Sequence, residues 1–93
     1  MEIKHVDNES KGFFRATIDG VAAGKITYSW AGEKRIIVDH TEVEQAFNGK
    51  GVGKAILMEI VSFARTKDIK ILPLCPFAKS VFDKTPAISD VRA

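Results

Sequence analysis

The sequence predicts an α+β domain: a mostly antiparallel sheet of about five strands, with a main helix packed on one face and a short helix near the C-terminus. Turn residues divide the first half of the chain into short segments in which apolar residues alternate. Beyond residue 51 the apolar residues recur at helical spacing. The length of 93 residues suffices for one buried core, so residues 1–93 are expected to form a single domain.

Four strands are predicted before residue 44, separated by turn residues: Met1–Asp7, Phe13–Ile18, Val21–Trp30 and Arg35–Val43. The first alternates only weakly and is expected at an edge of the sheet. Asp19 and Gly20 both tolerate the positive φ of a type I′ turn, so the second and third strands are expected to form a hairpin. Tyr28 and Trp30 share the alternation of Ile26, which favours core packing over ligand stacking.

The main helix is predicted from Gly51 to about Lys67, because the apolar residues there recur every three or four positions. Lys70–Leu74 is then predicted to be a short buried strand. Pro73 cannot donate a hydrogen bond to a neighbouring strand, so the fifth strand is expected to be unpaired on one side near its end. The element order is therefore β-β-β-β-α-β-α, with the main helix crossing between two strands.

The short helix is predicted to begin with Cys75 as its cap and Pro76 at its first position, where a missing N–H is tolerated. It must end before Pro86, because the residue preceding a proline disfavours helical backbone. The residues after Pro86 are expected to be poorly fixed.

Composition and charge exclude several classes of protein. Fourteen basic and twelve acidic side chains give a net charge of +2 and are dispersed along the chain, so specific nucleic-acid binding is not expected. No apolar run approaches the ~20 residues that span a bilayer, so a membrane partner is not expected. Cys75 is the single cysteine and no signal peptide is recognisable, which favours a cytoplasmic location. The two histidines and this cysteine have no recognisable metal-site spacing.

A glycine-rich loop precedes the main helix. Its glycines let backbone N–H groups approach a ligand, and the helix N-terminus adds unpaired donors, which together favour a phosphate group. A Walker A loop would need Ser or Thr at Ala55, and a dinucleotide fingerprint would need glycine at Lys54 or Ile56, so neither motif is present. Taken by itself, the glycine content is explained equally well by a flexible turn before the helix. The loop comprises Asn48, Gly49, Lys50, Gly51, Val52, Gly53 and Lys54.

The loop resembles the acetyl-CoA-binding motif [Q/R]-x-x-G-x-[G/A] of the Gcn5-related N-acetyltransferases (GNAT). Gly51 and Gly53 fill the two glycine positions, whereas Asn48 stands where Gln or Arg is usual and keeps a hydrogen-bonding amide. Two further stretches resemble the small GNAT-like, YjdJ-type family, whose members keep a His on the fourth strand and a Cys after the fifth. They are Asp39-His40-Thr41-Glu42-Val43 and Pro73-Leu74-Cys75-Pro76-Phe77-Ala78-Lys79. The resemblance covers roughly residues 3–86.

The resemblance implies a minimal GNAT-like fold that lacks the two helices with which larger members bind the acceptor. The fourth and fifth strands would splay apart, and the pantetheine arm of acetyl-CoA or coenzyme A would lie in the gap, bonded to the backbone of Val43 and Glu44. The loop, with Lys50 and Lys54, would bind the phosphates. Phe77 and Lys79 complete the cofactor site that the resemblance implies.

Two residues are candidates for the chemistry. Cys75, at a helix N-terminus, would either accept the acetyl group or lie beside the thioester; a buried apolar cysteine is the competing interpretation. His40, predicted on the face of Ile36 and Val38, would be the base for an amine or for the thiol, or a structural histidine. With the resemblance, these residues predict an acetyltransferase acting on an amine that the sequence does not identify. The alternatives are a coenzyme A-binding or regulatory module with little catalysis, and a structural partner protein that presents its sheet to a larger enzyme.

Overall fold

A computed structural model describes residues 1–93 and contains five strands and two α-helices. Their bounds are β1 Glu2–Asp7, β2 Lys11–Ile18, β3 Val21–Trp30, β4 Arg35–Val43, α1 Val52–Lys67, β5 Lys70–Pro73 and α2 Pro76–Lys84. The strands form one sheet in the order β1-β2-β3-β4-β5. The first four pair antiparallel, and β5 pairs parallel to β4 after the crossover through α1. The predicted α+β architecture is confirmed, including β1 at the edge.

One face of the sheet is buried beneath the helices. The residues that alternate toward this face in β2, β3 and β4 meet the apolar side of α1, and together they form the core. Tyr28 and Ile26 are fully buried there, as their alternation predicts. The opposite face has no helix over it and is called the open face below. No helix is long and apolar enough to cross a membrane.

The turns follow from residues that accept positive φ. Asp19 and Gly20 have φ of 51° and 79°, which confirms the type I′ hairpin between β2 and β3. The helix α1 begins after Gly51, whose φ is 75°, and ends before Asp68, whose φ is 56°. The Asp68 N–H caps the helix by bonding the carbonyls of Ala64 and Arg65.

The C-terminal tail is ordered, so the prediction that it is poorly fixed was wrong. Pro86–Val91 forms a short 3-10 helix, and Ile88 and Val91 within it are buried in the core. The Ala93 N–H then bonds the Ile71 carbonyl at 2.8 Å, so the tail lies along the outer edge of β5. The spacing of Ile88 and Val91 puts two apolar side chains on one side of a tight turn, which is enough to anchor the tail.

A β-bulge interrupts the pairing of β3 with β4. Tyr28 is opposite Val38, but the preceding residue, Thr27, is opposite His40, so Asp39 is an extra residue in β4. Two residues of β4 therefore share the place that one would occupy, and the side-chain alternation changes beyond them.

This bulge overturns the face predicted for His40. Unbroken alternation from Ile36 through Val38 would direct His40 toward the helices. After the extra residue, His40 is opposite Thr27 and lies on the open face, whereas Thr41 is opposite the buried Ile26 and lies on the helix face.

The ladder between β4 and β5 is short. It ends with the pair Val38 and Pro73, although β4 continues to Val43. Beyond this pair the Val38 carbonyl accepts the N–H groups of both Leu74 and Cys75 at 3.1 Å. The second half of β4 therefore has no strand beside it on that edge, as the predicted separation of the two strands requires.

Candidate functional site

The first turn of α1 presents free backbone donors. The N–H groups of Val52, Gly53 and Lys54 bond no acceptor within the chain, and the first helical bond runs from the Ala55 N–H to the Gly51 carbonyl. No side chain caps this end, and its first turn has no acidic residue. These donors and the positive end of the helix dipole suit the oxygens of a phosphate or pyrophosphate.

The loop before α1 is open to solvent. Gly49 and Gly51 have φ of 77° and 75°, and a Cβ on either would meet no atom within 4 Å. Asn48, Lys50 and Lys54 are exposed. Neither lysine belongs to an ion pair, so both ammonium groups are free to meet an anion.

Phe77 connects this loop to the start of α2. A Cβ on Gly53 would lie 2.9 Å from the Phe77 ring, so the ring rests directly on the first turn of α1. The loop and the N-terminus of α2 therefore belong to one site. Lys79 is further along α2, and its Nζ is 2.9 Å from the Asp83 carboxylate, so its charge is already paired.

Cys75 caps α2 and is nearly buried, with 5% of its surface exposed. Its Sγ accepts the Ala78 N–H at 3.4 Å, which confirms the predicted cap. Its other partner is Thr41, whose Oγ1 lies 3.1 Å from Sγ. Sequence reasoning missed Thr41, because only the bulge in β4 turns this residue toward the helices.

His40 does not pair with Cys75. It lies on the open face with a side chain that is 64% exposed, and its Nε2 is 3.9 Å from the Glu42 carboxylate. Thr41 and Cys75 lie on the helix face. The hypothesis of a Cys–His pair is therefore wrong, and the imidazole is available only to a group that approaches from the open face.

Some backbone N–H and carbonyl groups along the free edge of β4 have no partner in the sheet. The Glu44 N–H bonds the Ala23 carbonyl at 2.8 Å, and the Glu44 carbonyl accepts the Phe47 N–H, so both groups are engaged. In an antiparallel pair the bonding direction alternates along the strand. Since Glu44 bonds toward β3, the backbone groups of Val43 and Thr41 point toward the gap beyond β5. Val43 therefore suits the predicted role and Glu44 does not.

A separate polar cluster anchors β1 to the core. Tyr28 donates its hydroxyl proton to Asp7, and the Trp30 Nε1–H donates to the same carboxylate at 2.7 Å. The Tyr28 oxygen then accepts from His5 Nε2–H at 2.6 Å, because its own proton is already used. Gly12 makes room for this hydroxyl, since a Cβ there would lie 2.6 Å from it. No local pattern around His5 predicts these contacts.

Burial and hydrogen bonding shift the titration of this cluster. Burial lowers the pKa of His5; nearby Asp7 opposes that effect and Lys67 adds to it. Burial alone would raise the pKa of Asp7, but the hydrogen bonds from Tyr28, the Glu9 N–H and Trp30 outweigh it and hold this pKa below its usual value. Burial and the bond to Asp7 raise the pKa of Tyr28. All these groups are satisfied by one another, so the cluster has a structural role.

Known proteins resemble this chain over most of its length. Residues 13–91 match the model of a family described as GCN5-related N-acetyl-transferase. An NMR structure of a GCN5-like protein from Staphylococcus aureus is 35% identical, with a TM-score of 0.74 over 99% of this chain and 87% of that one. Protein NATD1 of Xenopus tropicalis is 28% identical over 61 residues, which are 66% of this chain but only 56% of that protein.

A more distant structure shares the fold. The AAC(6')-Iy complex with a bisubstrate analogue, CoA-S-monomethyl-acetylneamine, is 18% identical, with a TM-score of 0.61 over 87% of this chain and 62% of that one. The family match spans residues 13–91, and the 35% identity extends across nearly the whole chain. The chain belongs to the GCN5-related N-acetyltransferase family.

Proposed function

We propose that this protein binds acetyl-CoA and transfers its acetyl group to an amine. The observation that carries the proposal is the contact between Gly53 and Phe77, which joins two chemical features in one site. One feature is the set of free N–H donors at the start of α1. The other is the capped thiol of Cys75, two residues before Phe77.

Each part of acetyl-CoA has a matching group on the chain. The pyrophosphate suits the N–H groups of Val52 and Gly53, and Lys50 and Lys54 add full positive charges. The amides of the pantetheine arm suit the free backbone edge at Val43. Asn48 and Gly49 shape the loop, and Phe77 closes its side. Lys79 would have to leave Asp83 before it could reach a phosphate.

Cys75 acts in one of two ways. As a carrier, its sulfur attacks the thioester carbonyl; a carbon–sulfur bond to Cys75 forms, the bond to coenzyme A breaks, and the thiol proton ends on the released coenzyme A. A neutral amine then attacks the carbonyl carbon of the acetyl-Cys75 thioester; the amide bond forms, the bond between that carbon and the Cys75 sulfur breaks, and the amine proton returns to Cys75. Alternatively the amine attacks the carbonyl carbon of acetyl-CoA directly beside the thiol, the carbon–sulfur bond to coenzyme A breaks, and His40 would accept the amine proton from the open face. Thr41 Oγ1 orients Sγ in both cases.

Thermal unfolding with and without acetyl-CoA tests the binding step. At a concentration of 100 times the Kd, a ligand specific to the folded state adds about 2.7 kcal/mol to the free energy of unfolding. Desulfo-coenzyme A without an acetyl group is the matched ligand for the phosphate contacts alone. If millimolar acetyl-CoA leaves the transition temperature unchanged, the proposal fails.

Intact-mass measurement after mixing with acetyl-CoA tests the carrier role. Acetylation should add one acetyl group to the wild type and none to Cys75→Ala. Uptake that persists in Cys75→Ala would exclude this residue as the carrier. Direct transfer instead predicts amine-dependent release of coenzyme A with no acetylated protein.

The low exposure of Cys75 favours one further candidate function, a coenzyme A-binding module without transfer. Because only 5% of the Cys75 surface is exposed, the residue must become more accessible before a thioester reaches its sulfur. The module hypothesis predicts a stability gain with acetyl-CoA, no acetylated protein, and no coenzyme A release with any amine tested.

A further inference from the structure

A cleft on the open face is not used by the groups discussed so far. It has a volume of about 490 Å³ and is formed by residues of β1, β2, β3 and β4. Val6 and Phe13 supply its apolar wall, Thr27, Ser29 and Asp39 supply polar groups, and Lys11 lines it as the one cation. This size is within the range of small-molecule sites.

Asp39 is the one carboxylate lining this cleft, and it is held in place. Its Oδ1 accepts the Thr27 hydroxyl at 2.6 Å, and its Oδ2 accepts the Ser29 hydroxyl at 3.3 Å. No lysine, arginine or histidine forms an ion pair with it, whereas Asp83 and Asp90 each pair with arginine. An oriented carboxylate without a cation is a site for an ammonium group.

The position of Asp39 relates the cleft to the proposed transfer. Asp39 is the extra residue of the β4 bulge, and it directly follows Val38, whose carbonyl bonds the N–H groups of Leu74 and Cys75. The carboxylate therefore lies where β4 leaves β5 and where the chain turns into α2. His40, the next residue, is on the same open face.

The remaining charges restrict the kind of amine. Lys11 lines the cleft, and Arg15 and Lys25 both lie over the Phe13 ring at 5.2 Å from its centroid. Within the cleft lining, Lys11 and Asp39 are the two charged residues, whereas Arg15 and Lys25 lie outside it, and Lys25 is opposite Glu42 in the sheet. A second ammonium on the ligand would be repelled, whereas a carboxylate on its other end would be attracted.

We propose that this cleft binds a small zwitterionic primary amine, with its ammonium group on Asp39 and its carboxylate toward Lys11. The ligand is an amino acid whose amine becomes the acetyl acceptor, and this assignment of its role rests on the proposed function. Its aliphatic part lies against Val6 and Phe13.

Titration of the ¹⁵N-labelled protein with γ-aminobutyrate, without acetyl-CoA, tests the cleft itself. The amide signals of Ser29 and Asp39 should shift with a saturating dependence. Asp39→Asn should weaken binding about tenfold, as expected for loss of a charge-assisted contact. Propylamine, which lacks the carboxylate, and putrescine, which has a second ammonium, should bind more weakly than γ-aminobutyrate. Raising the ionic strength should weaken the binding of γ-aminobutyrate.

Asp19→Asn is the matched control, because it removes an exposed carboxylate from the β2–β3 turn, away from the cleft. It should leave the titration unchanged. The proposal would be overturned if wild type and Asp39→Asn bound γ-aminobutyrate equally, or if no amide signal shifted up to about 50 mM ligand. It would also be overturned if putrescine or a lysine-containing peptide bound more strongly than γ-aminobutyrate. Failure of this proposal can be distinguished from failure of the proposed function by the separate thermal unfolding experiment with acetyl-CoA. The cleft can bind the amine in the absence of acetyl-CoA. Asp39→Asn should keep the rise in transition temperature that acetyl-CoA causes.

Discussion

Replacing Gly51 by alanine should separate backbone strain from ligand binding. Gly51 has φ of 75°, and a Cβ there would meet nothing within 4 Å, so the change adds strain without a steric clash. A left-handed conformation costs a residue with a Cβ about 1–2 kcal/mol. The loop can relieve this strain by rotating away, which would turn the N–H groups of Val52 and Gly53 from their present directions.

The effect on binding follows from the loss of one charge-assisted hydrogen bond. Such a bond contributes about 2 kcal/mol, so its loss lowers the affinity for acetyl-CoA roughly 30-fold. At 100 times the wild-type Kd, the stabilisation by acetyl-CoA should then fall from about 2.7 to about 0.9 kcal/mol. The assay is urea unfolding of wild type and Gly51→Ala, each with and without ligand.

Gly32→Ala is the matched control. Gly32 has φ of 82° in the turn between β3 and β4, and a Cβ there also meets nothing within 4 Å. It should lose the same 1–2 kcal/mol of stability without ligand and keep the full gain with acetyl-CoA. If Gly51→Ala kept the full ligand effect as well, the assignment of the phosphate group to this loop would be refuted.

Three further changes test other parts of the structure. Gly12→Ala should lower the free energy of unfolding by about 3 kcal/mol, because its Cβ would overlap the Val6 carbonyl and the Tyr28 hydroxyl; a loss below about 1 kcal/mol in urea unfolding would contradict this packing. Thr41→Val should slow acetyl uptake by Cys75 about tenfold in time-resolved mass spectra, whereas Thr41→Ser should retain the wild-type rate. His5→Asn should flatten the dependence of the free energy of unfolding on pH. The pKa of His5 is lower in the folded state, so the unfolded chain binds more protons as the pH decreases from above 6.5 toward the folded pKa. Over that range the wild-type free energy of unfolding should fall by at most ~1.4 kcal/mol per pH unit. An unchanged slope in His5→Asn would refute that origin.

Local rules accounted for most of the fold. The type I′ turn at Asp19 and Gly20, the helix from residue 52 and the Cys75 cap each depend on residues within one or two turns of the chain. Such features are visible in a sequence because backbone preference and apolar spacing are local. The C-terminal tail was different: Ile88 and Val91 gain their stability from contact with distant parts of the core, and this was not evident from their immediate neighbours.

The candidate site was predictable only in part, for a similar reason. The glycine loop and the capped thiol are local motifs, and the structure joins them through Phe77. The partner of Cys75 depended on the register between β3 and β4, which no single segment specifies. Thr41 was passed over because an unbroken alternation assigned it to the open face, and the contacts that Asp39 makes with Thr27 and Ser29 depend on the same register.

The bulge in β4 determines which of its polar side chains lie on the helix face of the sheet and which lie on the open face. Without the bulge, β4 would place His40 under the helices, where its imidazole would need a buried hydrogen-bond partner, and Thr41 would point away from Cys75. The extra residue brings the Thr41 hydroxyl to the thiol on the helix face and His40 to the open face beside Asp39. In the proposed reaction, a thioester along the α1 loop and an amine entering from the open face would therefore meet at the edge of β4 without competing for the same space. The two proposed substrates would then be separated by the sheet itself, which a chain with only two α-helices would otherwise have little means to do.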